Sequence, residues 1–127
     1  MLPKLEVSRS ILVVEDDAAL RRVLEVALRR VGYEVLSVND GSAAMEIVRT
    51  RAFDLFLVDF MMPIVDGASF LRWLRGEARV HAPALMLTAA SQPEVAAESR
   101  AAGADDVVVK PIDLQSLIER ISRLERR

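Results

Sequence analysis

Five short apolar runs recur along the chain: Ile11–Val14, Val35–Val38, Leu55–Val58, Ala84–Leu87 and Val107–Val109. Each is too short for a full helix, and several are rich in β-branched residues, so they read as strands. None alternates between apolar and polar positions. That pattern suits strands of a parallel sheet covered on both faces, and the valine run is expected to be buried on both sides like the rest.

The intervening segments have helical period. Leu20, Val23, Leu24, Ala27, Leu28 and Val31 recur at helical spacing and form one face, with Arg21, Arg22, Arg29 and Arg30 off it. Gly32 stands where a helix ends. Leu114, Leu117, Ile118, Ile121 and Leu124 make a second stripe behind Asp113, a helix-capping residue type. Residues 40–50, 66–76 and 92–102 are expected to be helical too, each opening near Asp, Gly, Ser or Pro. Strict strand–helix alternation implies an α/β fold with a parallel sheet and helices on both faces.

The chain has 127 residues, which suits one domain, and 52% are apolar, enough for a sizeable core. The net charge of −2 argues against a polybasic nucleic-acid surface. There is no cysteine, hence no disulfide framework and no thiolate metal site. MLPKLEVSRS has no apolar core suited to a signal peptide, and no run approaches a membrane span. A cytoplasmic location is the expectation. Residues 1–9 read as an N-terminal extension and residues 10–125 as the domain.

Ligands of such folds bind beyond the carboxyl ends of the strands. Those ends carry Glu15, Asp16 and Asp17 after the first run, Asp59 after the third, Thr88 after the fourth and Lys110 after the fifth. A parallel sheet brings them to one edge. Clustered carboxylates repel one another unless a cation relieves them, and Mg²⁺ takes oxygen ligands, one or two of them carboxylates. Glu15, Asp16 and Asp59 fit that demand, whereas Asp17 reads as the cap of the first helix. A hydroxyl and an ammonium beside such a site suit a phosphoryl group, so Asp59 has a second reading as a nucleophile. These residues point to a Mg²⁺ and phosphate site but name no phosphoryl donor.

The stretches ILVVEDD, LVDFMMPIVDG, LMLTA and GADDVVVKP, in this order and spacing, closely resemble the receiver domain of two-component response regulators, the CheY-like family. The resemblance runs from about Ser10 to Leu124. It implies a flavodoxin-like (βα)5 doubly wound sandwich with strand order 2-1-3-4-5, an order of which CheY is a known example. It implies Asp59 as phosphoacceptor, with Mg²⁺ held by Glu15, Asp16, Asp59 and the backbone carbonyl of Met61. Thr88 and Lys110 match the hydroxyl and lysine that meet the phosphoryl group, and Lys110–Pro111 is expected to be cis. The donor would be a histidine of a sensor kinase or phosphotransfer protein. The protein would be a signalling phosphoacceptor and not a metabolic enzyme, catalysing only its own phosphoryl transfer and loss.

Two positions depart from the family pattern. Val107 stands where an aromatic residue is usual, and Ile64–Val65 replace a glycine-containing stretch. The alternative reading is a pseudo-receiver that binds proteins without phosphorylation. An Asp-nucleophile hydrolase is a third, disfavoured because Met61 stands where a second acid would be needed. His81, the one histidine, reads as a surface residue, and Trp73 with Phe70 and Leu74 as packing. The arginine pairs 21–22, 29–30 and 126–127 read as solvated charge. The small-sided segment 92–102 raises a homodimer through helix four, strand five and helix five. No contact of this domain with nucleic acid or membrane is expected.

Overall fold

The computed structural model describes residues 9–126. The proposed extension therefore lies outside the described residues, apart from Arg9. Strands and helices alternate as β1 (Ser10–Val14), α1 (Ala18–Arg30), β2 (Glu34–Val38), α2 (Gly41–Val48), β3 (Leu55–Asp59), α3 (Gly67–Gly76), β4 (Ala84–Thr88), α4 (Pro93–Ala102), β5 (Asp106–Val109) and α5 (Leu114–Glu125). The sheet is parallel throughout, in the order β2-β1-β3-β4-β5. This is the flavodoxin-like doubly wound architecture expected from the sequence.

Successive strand residues face opposite layers. Leu12, Val14, Phe56, Val58 and Met86 join Ala44 of α2, Phe70, Leu71 and Leu74 of α3 and Ala102 of α4 in one buried layer. Ile11, Val13, Leu55, Leu57, Leu85 and Leu87 join Leu24 and Leu28 of α1 and Leu117, Ile121 and Leu124 of α5 in the other. Because both faces of β1, β3 and β4 are covered, their sequences are apolar without alternation.

The helix ends follow local chemistry. Asp17, Asp40, Asp66 and Asp113 each accept a hydrogen bond from a backbone N–H of the first turn behind them. Gly32 follows the last cap residue of α1 with a φ of 106°, in the left-handed region that glycine adopts without strain. Gly67 meets a different demand. A Cβ there would stand 2.4 Å from the Asp59 carbonyl oxygen and 2.9 Å from both Met86 Sδ and Phe60 Cα. Its absence lets α3 start against the end of β3.

Three expectations are corrected. The runs of the two edge strands are not buried on both sides: residues 35–38 of β2 and Val107 and Val108 of β5 are half-buried and Val109 is 44% exposed, because β2 pairs only with β1 and β5 only with β4. The apolar stripe of α1 is wider than the surface the sheet offers, so Leu24 and Leu28 are buried while Val23 and Val31 are exposed. Arg21 is not a purely solvated charge: half-buried, it donates through Nη1 to the Glu15 carbonyl at 2.9 Å. Of the other arginines, Arg22, Arg29, Arg30 and Arg126 are exposed, and Arg127 lies outside the described residues. His81 is exposed. Trp73 is half-buried, stacked on Phe70 with 6.1 Å between ring centroids and covered by the Arg49 guanidinium at 5.6 Å.

Candidate functional site

The carboxyl edge of the sheet gathers the expected side chains. Glu15 leaves β1 fully buried. Its amide donates to the Val38 carbonyl at 3.1 Å, and its Oε2 accepts the Asp17 amide at 3.0 Å. These bonds and Arg21 hold the β1–α1 connection over the sheet end. Asp16, next in sequence, is exposed at the rim. Asp59 closes β3 and is only 3% exposed. One carboxylate oxygen from each of Glu15, Asp16 and Asp59 lies within 4.8 Å of the others.

Lys110 follows β5 directly, and its amide donates to the Thr88 carbonyl at 2.7 Å. That backbone bond fixes the ammonium and the hydroxyl residue to the same stretch of edge. Lys110 Nζ lies 3.2 Å from Asp59 Oδ1, as a hydrogen bond, and 3.2 Å from Glu15 Oε1. The second contact is off the direction a hydrogen bond needs, and Glu15 Oε1 is left buried without a hydrogen-bond partner. Thr88 is buried, and its Oγ1 accepts the Ala90 amide at 3.0 Å. The Met61 amide reaches Asp59 Oδ1 at 3.4 Å, while its side chain points out. The Lys110–Pro111 bond is cis, as expected.

The electrostatics follow from this crowding. Burial first, then the Glu15 charge and the contact with Asp16, push the Asp59 carboxyl up to about 7, against the pull of Lys110. Burial opposes the Lys110 charge, but Asp59 and Glu15 outweigh it and hold this ammonium above the ordinary lysine range. Two of the three clustered acids, Glu15 and Asp59, thus share the Lys110 ammonium. The ion pair with Lys110 leaves buried Glu15 Oε1 without a hydrogen bond, a cost that a further cation would offset. The donor set is oxygen only and two of the three acids are buried, which fits a hard divalent cation such as Mg²⁺.

Comparison with known proteins agrees with the geometry. Residues 11–122 match the family model of the response regulator receiver domain. The chain belongs to this family. Among relatives of this receiver domain, the transcriptional regulatory protein GltR of Pseudomonas aeruginosa is 38% identical over 94% of the chain, which spans 50% of that protein. The phosphate regulon transcriptional regulatory protein PhoB of the same species is 35% identical over 95% of the chain, spanning 53% of it. The chain thus spans about half the length of the curated relatives it matches. The receiver domain of Francisella response regulator 1452 superposes with a TM-score of 0.89 at 29% identity, covering 94% of this chain and 98% of that one.

Every side chain singled out at the strand ends lies on this one edge. Two features escaped the sequence reading. The bond from Arg21 to the Glu15 carbonyl leaves no periodic signal, because Arg21 reads as the polar side of a helix. The other is the backbone at Ile64, where φ is 71°, a value that isoleucine does not advertise.

Proposed function

We propose that this receiver domain accepts a phosphoryl group on Asp59 from a phosphohistidine of a sensor kinase or phosphotransfer protein. An Asp59 oxygen attacks phosphorus, the O–P bond forms, the P–N bond breaks, and the histidine leaves with a proton from solvent. Lys110, already bonded to Asp59, exchanges that carboxylate oxygen for a phosphoryl oxygen. The Thr88 hydroxyl donates to another. Mg²⁺ held by Glu15, Asp16, Asp59 and the Met61 carbonyl would neutralise the carboxylates and the phosphoryl charge. Water attack at phosphorus later returns Asp59 and inorganic phosphate, so the domain turns over only its own acyl phosphate. The observation that carries this reading is a buried Asp59 sharing one lysine with a second buried acid whose Oε1 has no hydrogen-bond partner.

The phosphoryl group would shift a two-state equilibrium that alters a protein interface. The face of α4, β5 and α5 is the proposed interface, in a homodimer or with a partner. Val107, half-buried opposite Met86, has no ring to couple the site to that face, so coupling would run through backbone and packing. Two relatives are named as transcriptional regulatory proteins, which supports an output in transcription, exerted without contact between this domain and nucleic acid. A cytoplasmic location fits this role. No helix among the described residues is long and apolar enough to cross a membrane. A phosphorylation-independent binding module is the weaker reading, since the three acids, Thr88 and Lys110 are all in place. The test is incubation with acetyl phosphate and Mg²⁺: the chain gains one phosphoryl mass, and Asp59→Asn does not. No gain on the wild type would refute the proposal.

A further inference from the structure

The loop of residues 60–66 joins the proposed acceptor to α3. Two of its apolar side chains point inward. Met62 is buried, and Val65 packs so closely on α2 that a Cβ on Gly41 would stand 2.7 Å from Val65 Cγ1. Two others point out: Met61 is 68% exposed and Ile64 is 99% exposed. The Val65 amide donates to the Pro63 carbonyl at 2.8 Å, closing a three-residue turn centred on Ile64 with φ at 71°. A γ-turn of positive φ is rare and strained, and a branched Cβ aggravates it. Glycine or asparagine would make the same turn with less strain. The free domain gains no packing from an isoleucine that touches so little. A strained, fully exposed β-branched residue is accounted for by contact with something outside the domain.

The position of the loop says what that something is. It begins at Asp59, and the Met61 amide bonds to the Asp59 carboxylate. Asp59 is buried, so a macromolecule delivering a group to it must approach beside this loop. Resting on the reading of Asp59 as phosphoacceptor, we propose that Ile64, with Met61 beside it, is an apolar anchor for the protein that carries the donor phosphohistidine. Exposed Asp16, Asp17 and Asp66 lie on the same edge of the domain. The complementary patch on the donor is therefore apolar with basic residues around it. Ile64 is a docking residue and takes no part in the chemistry. A small acyl phosphate reaches Asp59 without touching it, whereas a protein donor covers it.

This separates the two kinds of donor. Wild type, Ile64→Gly, Ile64→Asn and Ile64→Leu are labelled with acetyl phosphate. They are also labelled by an autophosphorylated histidine-kinase core, chosen as the fastest donor to the wild type in a purified panel. Acetyl phosphate should label all four at the same rate. With the kinase core, Gly and Asn should raise the half-saturating receiver concentration about tenfold at unchanged maximal rate, and Leu should stay near wild type. Gly and Asn should also melt a few degrees higher, which excludes misfolding as the cause. Equal kinase transfer to all four variants would overturn the anchor, and so would labelling of the wild type by acetyl phosphate but by no kinase core of the panel. If acetyl phosphate labels nothing, the phosphoacceptor reading itself fails and the anchor falls with it.

Discussion

Replacing Asp59 by asparagine should stabilise the domain, and increasingly so as pH rises. The carboxyl is pushed from 3.8 to about 7 by burial and by Glu15. Between those values the folded chain holds a proton that the unfolded chain has lost, so wild-type stability falls as pH climbs through this window. Below about pH 4 both states are protonated and the penalty vanishes, and above about pH 7 it is complete. At about 1.4 kcal/mol per pKa unit the shift sets a ceiling of about 4 kcal/mol. Solvent at the open side of the cleft reduces this to about 2–3 kcal/mol. Urea melts of both proteins in a chelator, from pH 5 to pH 8.5, read the effect as the difference between the two stability curves. The difference should grow with pH, and Mg²⁺ at pH 8 should stabilise the wild type and leave the variant unmoved. Parallel curves, or a wild type that gains on Asp59→Asn toward alkaline pH, would refute the reasoning.

Three further outcomes follow from packing and charge. Lys110→Met removes the one cation shared by Glu15 and Asp59, and acetyl phosphate labelling should slow by about a hundredfold or more in stopped time courses. Gly67→Ala drives a Cβ into the Asp59 carbonyl oxygen, so the variant should lose at least about 2 kcal/mol in chemical denaturation and label Asp59 more slowly. Phe70→Ala empties a fully buried site between Phe56 and Trp73 and should cost about 3–5 kcal/mol, read as a lowered urea midpoint.

Much of this architecture is legible before any coordinates. The runs of β1, β3 and β4 are apolar on every residue because helices cover both faces; Glu15, Asp59 and Thr88 stand immediately after them, and Lys110 stands after β5. Once the sheet is parallel, Glu15, Asp16, Asp59, Thr88 and Lys110 have nowhere to go but one edge. What sequence hides is tertiary. Val107–Val109 matches the central strands in composition, and only its place at the sheet edge exposes it. Val23 and Val31 obey the helical period yet overhang the surface that β1 and β2 offer. Arg21 looks solvated until the turn after Glu15 brings a carbonyl within reach. The turn at Ile64 is set by Met62 and Val65 being held in the core on either side, a constraint no local preference of isoleucine reports.

The central claim is that the strand ends assemble a cation-dependent phosphoacceptor at Asp59. It is tested most directly by locating the phosphoryl group. After reaction with acetyl phosphate, borohydride reduction converts an aspartyl phosphate to homoserine, and peptide mass spectrometry reads the position. The account predicts homoserine at position 59 when Mg²⁺ is present and none when it is chelated. Reduction at another residue, or equal modification without a divalent cation, would contradict it.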